Sequence, residues 1–136
     1  MASILIVDDD HNLCRILRGF LEKAGVHTLV AHDVDSALPI IKEKELDLII
    51  TDLKMPGKSG MDLLPLSKEL QPATPLIMIT AYGNIESAVA AIKQGAYDFI
   101  TKPFAEDELL NVIKKARVEI RLLLADIAPS RLATSA

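Results

Sequence analysis

An α/β domain built on one doubly wound parallel sheet is the fold class this chain predicts. Three observations carry it. Short, continuous apolar runs recur, Ile4-Leu5-Ile6-Val7, Leu48-Ile49-Ile50 and Leu76-Ile77-Met78-Ile79. Runs of that length without polar alternation suit strands buried on both faces. Between them apolar residues fall at helical spacing, so strands and helices alternate, which places helices on both sides of a parallel sheet. Finally, 136 residues, 50% apolar and 25% charged, suit one globular domain with one real core.

The elements follow in order. After the first strand, Leu13, Ile16, Leu17, Phe20 and Leu21 recur at helical spacing, and Gly25 supplies a stop. His27 to Ala31 is a short second strand, Val34 to Lys44 a helix, and Leu46 to Thr51 the third strand. Met55-Pro56-Gly57 and Ser59-Gly60 mark a loop before a helix from Met61 to Leu70. Pro72 and Pro75 bracket the turn into the fourth strand. Ile85, Ala88, Val89 and Ile92 give the fourth helix its inner face, and Gly95 ends it. After the fifth strand, Phe99-Ile100-Thr101, a fifth helix begins near Glu106, with Leu109, Ile113, Ala116 and Ile120 on one side. Five such units predict five parallel strands joined by right-handed crossovers.

Two prolines resist this pattern. Pro39 and Pro65 fall inside the second and third helices, where each removes a backbone donor, and belong either in first turns or at kinks. Ile113, Ala116, Ile120, Leu123 and Ile127 continue a 3-4-3-4 stripe. That spacing suits a two-stranded coiled coil, or equally one long amphipathic helix. The chain divides at about residue 120 into the domain proper, 1–120, and a helical extension, 121–136, whose end from Pro129 lacks periodicity and reads as a truncated linker or a remnant.

Composition narrows the function. A net charge of -4 argues against unaided nucleic-acid binding, which needs a basic stripe. Cys14 is the single cysteine, so the chain has no internal disulfide and no thiolate metal site. No basic-then-apolar leader opens the sequence. No apolar run approaches the roughly 20 residues that span a bilayer. A cytoplasmic, soluble domain without membrane contact is the expectation.

The chemistry-bearing residues sit at strand ends. Asp8, Asp9 and Asp10 follow the first strand and Asp52 the third, while Thr80 ends the fourth and Lys102 follows the fifth. Open α/β sheets place their ligands at the carboxyl ends of strands, at the point where the strand order reverses. With the order 2-1-3-4-5, Asp8, Asp9 and Asp52 converge there. Clustered carboxylates repel one another unless a cation compensates, and an oxygen-only set suits Mg²⁺. Asp10 fits a simpler role, capping the first helix.

Four motifs then carry a resemblance. Val7-Asp8-Asp9-Asp10, Ile49-Ile50-Thr51-Asp52-Leu53-Lys54-Met55-Pro56-Gly57, Ile79-Thr80-Ala81-Tyr82-Gly83 and Asp98-Phe99-Ile100-Thr101-Lys102-Pro103-Phe104 together resemble the receiver domain of bacterial two-component response regulators, over about residues 3–120. The resemblance implies a flavodoxin-like receiver fold with five helices and a phosphorylation-operated switch. It implies that Asp52 is the phospho-acceptor, that Asp9 and Asp52 bind Mg²⁺ directly, that Lys54 adds its backbone carbonyl, and that Asp8 acts mainly through water. Thr80 becomes the switch hydroxyl, Phe99 the switch aromatic and Lys102 the phosphoryl-binding cation, with a cis peptide between Lys102 and Pro103 aiming that side chain inward. Read by themselves, Thr80 is also an ordinary strand residue and Phe99 an ordinary core residue. The implied partners are a sensor histidine kinase and a C-terminal output domain lying outside this chain, with a homodimer as a further possibility. The phrasing from Thr80 to Phe104 is similar to receivers of NtrC-type enhancer-binding transcription activators, where an ATPase module and a DNA-binding module follow.

Rival readings are weaker. An aspartyl-nucleophile phosphatase or phosphotransferase needs a second acid two residues after the nucleophile, and that place holds Lys54. A flavin or dinucleotide binder lacks G-x-G-x-x-G after the first strand, where three aspartates would repel a pyrophosphate. A receiver acting only through protein contacts has no need of the acid, threonine and lysine set. His11, His27 and His32 lack zinc spacing and read as surface or loop histidines. Cys14 reads as a small buried hydrophobe. Gly57 and Gly60 belong to no phosphate-cradling loop.

Overall fold

A computed structural model describes residues 2–81 and 83–127, with side chains as far as Ala116. The elements are β1 (Ser3–Val7), α1 (His11–Lys23), β2 (His27–Ala31), α2 (Val34–Glu43), β3 (Leu48–Thr51), α3 (Gly60–Leu70), β4 (Leu76–Thr80), α4 (Ile85–Lys93), β5 (Asp98–Thr101) and α5 (Glu106–Ile127). The five strands form one parallel sheet in the order β2-β1-β3-β4-β5. The chain thus starts in the middle of the sheet, runs to one edge and returns to build the other.

Strand pleat divides the core between the two faces. Leu5, Val7, Ile49, Leu76 and Met78 point to the side packed by Ala37 and Ile41 of α2 and Leu63 and Leu64 of α3. Ile4, Ile6, Leu48, Ile50, Ile77 and Ile79 point to the side packed by Leu17 and Leu21 of α1 and Leu109, Ile113 and Ala116 of α5. Because each strand feeds both layers, the runs are apolar throughout rather than alternating.

The starts of α1, α2 and α4 are capped by side chains. Asp10 accepts from the Asn12 and Leu13 N–H groups at 3.0 and 3.1 Å, as its position predicts. Asp33 and Asn84 do the same for α2 and α4, taking the Ser36 and Ser87 N–H groups at 2.7 Å. Pro39 and Pro65 each stand sixth in their helices, beyond the first turn, and both are exposed.

α4 departs from the predicted orientation. Ile85, Val89 and Ile92 are 83%, 45% and 47% exposed, whereas Ala91 is fully buried. The helix lies against the β5 edge, where Phe99 already packs against the same core as Ala91. Ala91 faces the core and the bulky residues face out. On α1, Ile16 is likewise exposed rather than inward. α5 runs unbroken through residue 120 to Ile127. Its Ile113 and Ala116 are buried in the domain core, so the first half of the 3-4-3-4 stripe is intramolecular packing. The side chains of Ile120, Leu123 and Ile127, and the stretch from Pro129, lie outside the described residues. No helix among the described residues is long and apolar enough to cross a membrane.

Candidate functional site

Asp8 leaves the sheet directly after β1 and Asp52 directly after β3, its neighbour. The register pairs Val7 with Thr51, and the Asp52 N–H donates to the Val7 carbonyl at 2.9 Å. The two acids are therefore launched side by side from the middle of the sheet. Carboxylate oxygens of Asp8, Asp9 and Asp52 all lie within 4.8 Å of one another. Asp8 and Asp52 are buried and Asp9 is exposed. A cavity of about 510 Å³ opens over them, lined also by Lys54, Ala81 and Lys102.

Lys102 supplies the compensating charge. Its Nζ lies 2.9 Å from Asp8 Oδ2 and 3.4 Å from Asp52 Oδ2. Burial pulls the ammonium down, but the hydrogen bond to Asp8 and the charges of Asp8 and Asp52 outweigh it and hold the group above the ordinary lysine range. The Lys102–Pro103 peptide is cis, as expected. Asp52 is held from its other side, where Oδ1 accepts the Leu53 N–H at 2.7 Å. That leaves Oδ2 on the side of the lysine.

Thr80 ends β4 and is fully buried, one residue before the cavity-lining Ala81, and its carbonyl accepts the Lys102 N–H at 2.9 Å. Phe99 is half-buried and paired in register with Met78. The structure thus brings together Asp8, Asp9, Asp52, Lys54 and Lys102, with Thr80 and Phe99 on the two strands that border them.

Other parts of the site were not apparent from the sequence. Asp8 is gripped at every polar atom. Its Oδ1 accepts the Asp10 N–H at 2.9 Å, and its carbonyl accepts His32 Nδ1–H at 2.9 Å and the Cys14 thiol at 3.4 Å. Cys14 is buried as predicted, and burial, followed by the charges of Asp8 and Asp10, pushes its thiol up to about 11. The His32 ring stacks on His11 with centroids 3.6 Å apart. His32 directly follows a strand, so the strand-end rule that found Asp8 applies to it as well. Gly60 and Gly83 were not apparent either. A Cβ on Gly60 would overlap the Asp52 carbonyl oxygen, and one on Gly83 would stand 2.7 Å from Phe99 Cε1.

Comparison with known proteins now bears on this geometry. The model of the response regulator receiver domain matches residues 4–114. The chain belongs to the response regulator receiver family. As a receiver it is a phosphorylation-operated signalling switch of the two-component kind. It is similar to the nitrogen assimilation regulatory protein NtrX of Azorhizobium caulinodans, 43% identical over 122 residues, covering 88% of this chain and 27% of that protein. It is also similar to the transcriptional regulatory protein ZraR of Salmonella typhimurium, 37% identical over 119 residues, with coverage of 88% and 27%. Among solved structures, the beryllofluoride-activated NtrC4 receiver domain dimer superposes with a TM-score of 0.84 at 37% identity, covering 88% of this chain and 99% of that one. This receiver spans about a quarter of the length of the curated relatives it matches.

Proposed function

We propose that Asp52 of this receiver takes a phosphoryl group from the phosphohistidine of a sensor histidine kinase. Asp52 Oδ2 attacks phosphorus, the phosphorus–nitrogen bond breaks, and the imidazole leaves with the electron pair and takes a proton from solvent, giving an acyl phosphate. The observation that carries this is the convergence of Asp8, Asp9 and Asp52 beside Lys102, four charged groups gathered from three strand ends. Phosphoryl transfer asks little of a protein beyond in-line positioning and charge neutralisation.

The donor set fits Mg²⁺. It offers only hard carboxylate oxygens at mutual distances that one ion can bridge, with no imidazole or thiolate among them. Asp9 and Asp52, with the Lys54 backbone carbonyl, would hold the ion directly, and Asp8 through water. When bound, Mg²⁺ supplies positive charge against the phosphoryl oxygens. Lys102, beside Asp8 and Asp52, would contribute a second positive charge, and the Thr80 hydroxyl would hydrogen-bond a phosphoryl oxygen once one is present.

This receiver acts as a switch rather than a turnover enzyme, since Lys54 stands where a leaving-group acid would be needed. Residues 1–120 form the switch unit, and the stretch 121–136, which α5 enters without a break, connects it to a C-terminal output domain controlling transcription in the cytoplasm. The similarity to NtrX and ZraR supports that output. Thr80 and Phe99 relay the phosphorylated state to the face of α4, β5 and α5. There the exposed Ile85, Val89 and Ile92 form an apolar stripe suited to a partner or to a second copy of this chain.

Intact-mass measurement after incubation with a small acyl phosphate tests the assignment. Wild type in Mg²⁺ gains one phosphoryl mass, chelator prevents it, and Asp52→Asn shows none. Labelling that persists in the asparagine variant would place the acceptor elsewhere. No labelling at all would favour a receiver working by protein contact alone.

A further inference from the structure

β2 ends at Ala31, whose carbonyl accepts the Asp8 N–H at 3.1 Å, the last bond of the β1–β2 ladder. The Asp8 carbonyl lies beyond it, and a buried carbonyl needs a donor. His32 provides it from the side chain, with Nδ1 2.9 Å from that oxygen. A carbonyl only accepts, so Nδ1 carries the proton in this contact. The Cys14 thiol adds a second donor at 3.4 Å, and with its pKa pushed up to about 11 it stays protonated. His11 covers the imidazole face at a centroid distance of 3.6 Å and an interplanar angle of 18°, which fixes the plane of the His32 ring.

The consequence lies in which peptide unit is being held. The Asp8 carbonyl belongs to the planar unit joining Asp8 to Asp9. A donor on it sets the plane of that unit, and so the direction in which both acids leave the chain.

We propose that His32 is a positioning residue for the cation site, aligning Asp8 and Asp9 together through their shared peptide, with His11 as its stacking support. The inference rests on the reading of Asp8, Asp9 and Asp52 as that site. Removing the partner that orients a metal ligand typically weakens binding about 10–100-fold. His32 grips main chain rather than carboxylate, so an effect at the lower end, about tenfold, is expected.

The test is calorimetric titration of Mg²⁺ into wild type, His32→Phe and His32→Asn, each also melted without metal. Phenylalanine keeps a ring against His11 but has no donor. Asparagine gives up the ring but places an amide N–H near the position of Nδ1. The expected result is Mg²⁺ affinity about tenfold weaker in His32→Phe and within about twofold of wild type in His32→Asn. The metal-free melt of His32→Phe should stay cooperative and be lowered only as the loss of one hydrogen bond requires, the Cys14 thiol still serving the carbonyl. The Mg²⁺ concentration giving half-maximal Asp52 labelling should follow the same order. His32→Leu is measured alongside in case the larger ring disturbs the loop. Wild-type affinity in the donor-less variants, equal losses in the phenylalanine and asparagine variants, or failure of both donor-less variants to fold would each overturn the proposal. A wild type that binds no Mg²⁺ would instead overturn the reading of the cation site, and this inference with it.

Discussion

Gly60 lies against the main chain of Asp52, close enough that no larger residue fits. A Cβ there would overlap the Asp52 carbonyl oxygen and stand 2.7 Å from Met78 Sδ. The Gly60 N–H donates to the Leu53 carbonyl at 2.8 Å, so the start of α3 is tied to the strand end that carries Asp52.

Gly60→Ala should therefore both destabilise the domain and disturb its chemistry. Overpacking a filled site costs about 1–3 kcal/mol. The obstacle is backbone, which cannot rotate away as a side chain can. Urea unfolding measures the loss, and Asp52 labelling should slow in the fraction that remains folded. An alanine variant as stable as wild type would mean that α3 stands farther from Asp52.

Lys102 sets the metal-free stability of the site. Replacing it with Met leaves Asp8 and Asp52 buried side by side without their cation. Breaking a buried pair costs about 3–5 kcal/mol, and the 18% exposure of the lysine side chain reduces this to about 1–3 kcal/mol. Mg²⁺ should stabilise wild type by about 2.7 kcal/mol at a hundredfold excess over Kd. Asp9→Asn should raise the metal-free melting temperature slightly, by relieving repulsion within the cluster. Thermal melts with and without Mg²⁺ check all three. A wild-type melt indifferent to Mg²⁺ would contradict the reading of Asp8, Asp9 and Asp52 as a cation site.

Thr80→Ala should take up phosphate yet fail to respond to it. Moving a switch from 1:99 to 99:1 needs about 5.5 kcal/mol. Charge-assisted hydrogen bonds of about 1.5–3 kcal/mol each are its natural source, and this variant lacks one of them. Light scattering of wild type and variant, with and without an acyl-phosphate mimic, reads self-association through the α4 stripe. The Phe99 ring signals, observed by NMR, should shift in wild type alone. An equal response in both proteins would remove Thr80 from the coupling.

Cys14 should be inert in the folded protein. Its thiol is pushed from the ordinary 9.0 up to about 11, first by burial and then by Asp8 and Asp10. Near pH 8 its thiolate is scarce, and alkylation should be far slower than in urea-unfolded chain. The sign for stability is also set. Between 9.0 and about 11 the unfolded chain releases this proton before the folded one does, so stability falls as pH rises through that window. Rapid modification of native protein would show that α1, which carries Cys14, opens readily.

The order of elements, the two-faced strands and the placement of Asp8, Asp52 and Lys102 at strand ends were all legible in the sequence, because each is a local signal. An apolar run declares a buried strand, and the polar residue that follows must emerge at its edge. The capping role of Asp10 is of the same short range. What only the tertiary structure decided depends on what lies across the gap. Helical spacing showed that α4 carries an apolar stripe, but not that Ala91 would lie inside, in the core that Phe99 also packs against, with Ile85, Val89 and Ile92 outside. Nothing local marks Gly60 as the residue that must clear the Asp52 carbonyl, or Gly83 as the one that must clear Phe99. Nor does the sequence reveal that His32, 24 residues away, supplies the donor for Asp8. Periodicity reports which residues avoid water; which neighbour each one meets is settled only when the sheet brings distant strand ends together.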